Sequence, residues 1–256
     1  MRRFLALMIV TSLSGLALAA PPGASPVTAS SSKPAAASGL RGDPTAIAAA
    51  RAMVEAMGGA RIWKPLKSLR LVHEWFPWNR SDSYVETEIL DLTGPRSHAD
   101  RKSEISHAIR AYGPEGGGWR TQDGELAVSN PGDLAADLAR APFNFYRLVS
   151  AVAKDDPFYE VRWGEGDIPG TRRLEFHGTD GRLGGWIILN VDSEPIVKAT
   201  PDYRYVLGPL ERFGNLRLPA WGVYDNGYTR YEMRAANGDR EPPDPALFLP
   251  PPQYHE

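Results

Sequence analysis

Three glutamates, Glu86, Glu88 and Glu104, are the residues whose type best suits acid–base chemistry. Glycosidases divide such work between two carboxyls, and burial must raise the pKa of one of them. Here Glu86 and Glu88 alternate with Val85, Thr87 and Ile89, the pattern of a strand whose charged face meets solvent. On that ground no catalytic residue is assigned. His73-Glu74 has the look of a zincin opening, but the position four after His73 is Pro77, so the second ligand is missing and a helix is broken there. His98, His107, His177 and His255 each stand alone, and only His98 and Asp100 share one face of a strand. They are expected to be surface or internally bonded histidines, with no metal bound.

Gly116-Gly117-Gly118 lacks the lysine and the serine or threonine of a phosphate loop and reads as a hairpin tip. No Gly-x-Ser-x-Gly elbow is present. The absence of cysteine removes thiol nucleophiles and thiolate metal sites. The sequence is therefore read as non-enzymatic and free of cofactors.

Aromatic and large aliphatic side chains supply the other candidates. Trp75, Tyr84, Phe145, Leu148, Trp163, Trp186, Ile188 and Tyr205 are the residues expected to line an apolar cavity. Most aromatics fill cores, yet an apolar cavity can stay dry and accept an apolar ligand. The stretch Phe143–Val152 would close such a cavity as a lid.

The elements that must position these residues can be read in order. Asp43-Pro44 opens a helix by N-cap and first-turn proline; Ile47, Ala50, Val54 and Met57 share a face, and Gly58-Gly59 ends it. Strands are expected at Ser68–Phe76, Tyr84–Leu92, Arg96–Ser103, Ile105–Tyr112 and Trp119–Thr121, with a hairpin at Asp123-Gly124. Between Pro131 and Lys154 the period becomes helical, with a break at Pro142. Strands resume at Phe158–Trp163 and Thr171–Gly178. A meander of three follows, Trp186–Val191, Ile196–Val206 and Leu216–Tyr224. After Asn226-Gly227 comes Tyr228–Ala235, and the tail Pro242–Phe248 is expected to be extended and anchored by Leu247 and Phe248. An antiparallel sheet of this strand count curls into a half-barrel. The expected fold class is α+β, a large curved antiparallel sheet with helices capping its concave face.

Hydrophobic content of 42%, charged content of 23% and a net charge of −2 describe a globular chain without the basic surface that nucleic acid requires. Residues 1–19 read as a cleavable signal peptide: Arg2-Arg3, an apolar run to Leu18, and Ala17-Leu18-Ala19 as the cleavage motif. The run is too short to span a membrane, and no later stretch is long enough. Residues 20–42, rich in Ala, Pro and Ser, read as a flexible linker. The expected location is periplasmic or secreted, without a lipidation cysteine and not integral to a membrane.

Several stretches resemble the LolA/LolB-like outer-membrane lipoprotein-sorting superfamily. They are the helix ending in Gly58-Gly59 followed by Trp63 and Lys67-Ser68-Leu69-Arg70-Leu71, then Leu189-Asn190-Val191-Asp192, then Phe213-Gly214-Asn215-Leu216-Arg217-Leu218-Pro219, and finally Asp244-Pro245-Ala246-Leu247-Phe248. The resemblance implies a single LolA-like domain of lipid-binding type over 43–256, its half-barrel holding a lipid, acyl chain or other hydrophobic ligand. It transfers no binding motif. The alternative is a ligand-free interaction module whose sheet edge or proline-rich tail docks an envelope protein.

Overall fold

Asp43 starts the first helix as the sequence requires: its carboxylate accepts hydrogen bonds from the backbone N–H groups of Thr45 and Ala46, and helix α1 (Pro44–Ala56) buries Ala46, Ala50, Met53 and Val54. The computed structural model describes residues 39–166, 171–225 and 227–251. The expected signal peptide and residues 20–38 of the expected linker lie outside the described residues, as does Asn226. Strand pairing reaches into the rest of that linker. Strand β1 (Arg41–Gly42) lies parallel to β8 (Glu160–Glu165).

After α1 and the short α2 (Ala60–Trp63) come β2 (Ser68–Phe76), β3 (Tyr84–Asp91), β4 (Ser97–Lys102), β5 (His107–Gly113), β6 (Gly117–Gln122) and β7 (Glu125–Val128). The β6–β7 turn is built on Asp123 and Gly124, both at positive φ, as a two-residue hairpin of the expected kind. Helix α3 (Pro131–Arg140), a 3-10 turn (Ala141–Phe143) and α4 (Phe145–Lys154) precede β8. The remainder is β9 (Arg172–His177), β10 (Leu183–Leu189), β11 (Pro195–Thr200), β12 (Tyr203–Leu207), β13 (Leu210–Phe213), β14 (Leu216–Pro219), β15 (Trp221–Tyr224) and β16 (Arg230–Asp239).

Fourteen strands form one sheet in the order β1-β8-β9-β10-β11-β12-β15-β16-β2-β3-β4-β5-β6-β7, which does not close on itself. Apart from β1 with β8, every pairing is antiparallel. This is the expected α+β half-barrel architecture. Curvature is visible in side chains that meet across it. The Tyr205 ring on β12 and the Trp75 ring on β2 are 6.4 Å apart, although three strand-to-strand steps of about 4.8 Å separate their backbones.

Details of the meander differ from the sequence reading. Ile196–Val206 is two strands, because Pro201-Asp202 turns the chain. Leu216–Tyr224 is also two: β14 pairs with β13 in a separate ribbon, and only β15 joins the main sheet. Val191 lies beyond β10 and is 99% exposed. The tail ends in a 3-10 turn (Pro245–Phe248) capped by Asp244, not in extended chain.

The core fills the concave side. Ala46, Ala50 and Met53 of α1, and Phe145, Leu148, Val149 and Val152 of α4, pack with Leu69, Leu71, Leu90, Leu174, Phe176 and Ile187 of the sheet. Helix α4 buries every residue from Phe145 to Val152, so the stretch expected to act as a lid is packed into the core. Two cations pin it. The buried Arg147 guanidinium donates to the carbonyls of Asp91, Ala141 and Arg96, and Lys154 Nζ donates to those of Leu66 and Leu92.

Candidate functional site: a charged floor in the half-barrel

Register determines which side chains share the concave face. Leu69, Leu71, His73 and Trp75 of β2 stand opposite Leu90, Glu88, Glu86 and Tyr84 of β3. Glu86 and Glu88 in turn face Arg101 and Ala99 of β4. Glu86 is 4% exposed, whereas Val85 is 44% exposed. The solvated-face reading of these glutamates is therefore inverted: the carboxylates point into the half-barrel and the aliphatic residues away from it. Alternation identifies the two faces of a strand, but here hydrophobicity does not say which is inside, because partners on other strands satisfy the carboxylates.

Glu86 Oε2 accepts from Arg101 Nε at 2.5 Å, and Oε1 accepts from Trp75 Nε1 at 3.0 Å. Glu88 has one long hydrogen bond, from Ser97 Oγ at 3.4 Å. Burial, seconded by the Glu86 charge, pushes the Glu88 carboxyl up to about 7, while Lys198, Arg147 and Arg101 pull it back. Lys198 of β11 reaches into the same space. Its Nζ lies 5.0 Å from the Tyr205 ring centroid, 5.4 Å from Tyr231, 5.7 Å from Phe145 and 5.9 Å from Tyr146. Burial pushes this amine down to about 8 against the attraction of Glu88 and Glu86. His73, 4% exposed, is pushed down to about 3 by burial and by the positive Lys198, so its imidazole is neutral in ordinary buffers. Its Nδ1 has no hydrogen-bond partner.

The expected cavity residues divide. Trp75, Tyr84 and Tyr205 come together, with Trp75 stacked on Tyr84 at 6.3 Å and edge-on to Tyr205. Phe145 joins them beneath Lys198. Leu148 is core, 2% exposed. Trp163 lies apart, beside α1, donating from Nε1 to Thr45 Oγ1 with Arg172 on its ring. By register Trp186 and Ile188 belong to the other face of β10 from Ile187, which pairs with Lys198. The void touched by Phe145, Leu148 and Trp186 is about 10 Å³, room for at most one water.

Open space lies elsewhere. A cavity of about 340 Å³ is lined by Glu86, Glu88, Arg101, Arg110, Arg140 and Tyr203, among others. A groove of about 720 Å³ shares Arg101, Arg110, Asp137 and Arg140 with it. Asp137, 7% exposed, organises their junction by pairing with both Arg110 and Arg140. On the far side of the 137–144 segment, a mostly apolar cleft of about 340 Å³ is lined by Leu92, Pro95, Leu138, Pro142, Phe158 and Tyr159, together with Arg147, Lys154 and Asp156.

Sequence reasoning missed His73, Glu88 and Lys198 as one group. The available signal was parity: each shares a strand face with an aromatic, His73 with Trp75, Glu88 with Tyr84, and Lys198 with its cross-strand partner Tyr205. The other described histidines are internally bonded or packed. His177 joins Gly181 O and Glu175, His107 joins Asp100, and His98 packs edge-on to Trp119.

What the fold and the site define is an open α+β half-barrel with a charged, aromatic-rimmed floor. No family model matches the chain. No curated protein matches it significantly. Among solved structures it is similar to a DUF1329 family protein from Desulfovibrio piger ATCC 29098, at 10% identity and a TM-score of 0.41, covering 76% of this chain and 93% of that one. It is also similar to MucB, at 16% identity and a TM-score of 0.22, covering 83% of this chain and 65% of that one. No helix among the described residues is long and apolar enough to cross a membrane.

Proposed function

We propose that this chain is an exported, non-enzymatic binding protein whose ligand is an amphiphile, held through its polar head in the charged cavity. The observation that carries this reading is the distribution of space around the 137–144 segment. The open volume on one side is lined by arginines and carboxylates, and that on the other by Leu92, Pro95, Leu138 and Phe158. A lipid or acyl chain bound solely by an apolar interior fits less well, since α4 already fills that interior. Head-group selectivity follows, because an anionic head can replace water on Arg110 and Arg140 by charge-assisted hydrogen bonds.

The test is native mass spectrometry of the protein purified from envelope, followed by titration with amphiphiles of one tail and different heads. A solvent-released amphiphile is expected, with anionic heads binding at least about tenfold (1.4 kcal/mol) more tightly than their methyl esters. Asp137→Asn, which removes the carboxylate that neutralises Arg110 and Arg140, should widen that preference. Equal binding of all heads, or of none, would sink the proposal.

One observation favours the interaction-module reading. Trp78, Ile105 and Tyr228 are 67%, 75% and 70% exposed. They sit on the β2–β3, β4–β5 and β15–β16 connections, which topology places side by side at one end of the sheet. An exposed apolar rim of this kind suits a protein partner in the envelope. A Trp78→Ser, Ile105→Ser double variant that still captured every partner of the wild type would remove this reading.

A further inference from the structure

We propose that His73 Nδ1 and the carboxylates of Glu86 and Glu88 form a site for one divalent transition ion of the zinc class on the concave floor. The site does not depend on the amphiphile reading. One potential ligand atom from each residue lies within 4.8 Å of the other two, and His73 Nδ1 is 3.9 Å from Glu86 Oε1. Ligands about 2.0–2.1 Å from a tetrahedral ion stand roughly 3.4 Å apart, so closure needs side-chain shifts on the order of an ångström. Strand pairing supplies the frame: His73 and Glu86 are direct cross-strand partners, and Glu88 is the next residue along the same face of β3. Two hydrogen-bonded strands hold such a constellation more firmly than loops do.

The independent observation is the histidine. A ring that is 4% exposed, with an unpartnered Nδ1 only 3.9 Å from Glu86 Oε1, leaves a buried polar atom unsatisfied beside a carboxylate, and an ion bound there would satisfy both. Its neutral form is the one that ligates. One imidazole and two carboxylates suit zinc and its first-row neighbours, whereas calcium and magnesium prefer all-oxygen shells. Glu86 and Glu88 also line the open cavity, so a fourth position is left for water or an anionic group. Three cations bear on the site: Arg101, Lys198 and Arg147, the last held by three backbone carbonyls. Arg101 stays on Glu86 Oε2, and Oε1, which also accepts from Trp75 Nε1, keeps a second lone pair for the ion, whereas Lys198, attracted to both carboxylates, competes with the metal for them.

The tag-free full chain, stripped with EDTA and dialysed against zinc chloride, is expected to retain a single zinc by elemental mass spectrometry. Cobalt(II) in its place should give the visible absorption of a low-coordinate site. In isothermal titration with zinc chloride, Glu88→Gln should bind at least tenfold more weakly and Lys198→Met more tightly than wild type. His73→Gln should lose the zinc while keeping a native circular dichroism spectrum. If that variant fails to fold, the near-isosteric Glu88→Gln decides alone. No zinc retained by the wild type, or equal affinity in wild type and Glu88→Gln, overturns the site.

Discussion

Glu88, Lys198 and His73 are poised differently, and each leaves a distinct mark on stability. The Glu88 carboxyl, raised from 4.5 to about 7, binds its proton more tightly in the folded protein than in the unfolded chain. Its contribution is complete below pH 4.5 and is lost as pH rises through about 7. Lys198, lowered from 10.5 to about 8, contributes stability that is present above 10.5 and lost as pH falls through about 8. His73, lowered from 6.5 to about 3, contributes stability present above 6.5 and lost toward pH 3, so it opposes Glu88 over part of the acid range. Comparison with a variant isolates one group. In metal-free buffer, Glu88→Gln should gain stability relative to wild type as pH is raised from about 5 to about 8, read by urea unfolding at each pH. A difference that did not change with pH would mean that Glu88 titrates as an ordinary glutamate. Adding Lys198→Met removes a cation that holds Glu88 down and should carry the effect to higher pH.

At the scale of strands and helices, the floor depends on how closely Tyr231 can lie over β15. Gly222 is its cross-strand partner, and a Cβ there would stand 2.4 Å from Tyr231 Cε1, so the ring occupies the space that any other residue would fill. Tyr231 is 2% exposed and packs against Trp75 at 5.0 Å and His73 at 4.9 Å. Gly222→Ala should therefore cost about 1–3 kcal/mol through overpacking, measured as a lower urea midpoint with an unchanged slope. A neutral result would show that the ring moves aside freely. The same strands show what the sequence made legible. β2 was readable end to end as Ser68–Phe76, and α1 from its Asp43-Pro44 cap, because local propensity and capping chemistry decide both. The β11–β12 turn was hidden because Pro201-Asp202 interrupts a run that is extended on both sides. Which face of β3 is inside was hidden for a different reason. Glu86 is buried only because Arg101 and Trp75, from two other strands, complete it, and a single strand's alternation carries no record of its neighbours.

Taken as a whole, the sheet is held from both sides, and the C-terminal tail, read from the sequence as anchored by Leu247 and Phe248 or as a docking segment, belongs to the outer one. On the convex side Trp119 shares a face with His98, Nε1 of Trp119 donates to the Phe248 carbonyl at 3.0 Å, and Arg96 lies over the Phe248 ring at 5.0 Å. The C-terminal turn is thereby part of the fold: Phe248 is 2% exposed, although the proline-rich stretch before it gave it the look of a docking tail. Phe248→Ala should cost about 3–5 kcal/mol, in the range for a deeply buried phenylalanine, and appear as a lowered thermal midpoint. Zinc affinity at temperatures where the variant is folded should stay unchanged, since His73, Glu86 and Glu88 face the concave side of the sheet. That contrast separates two explanations of any loss of function on trimming residues after Glu241. If Phe248→Ala alone reproduces the loss of partner binding and the loss of stability together, the tail acts through the fold. If Phe248→Ala unfolds more easily but still binds the partner when folded, the trimmed residues touch that partner themselves.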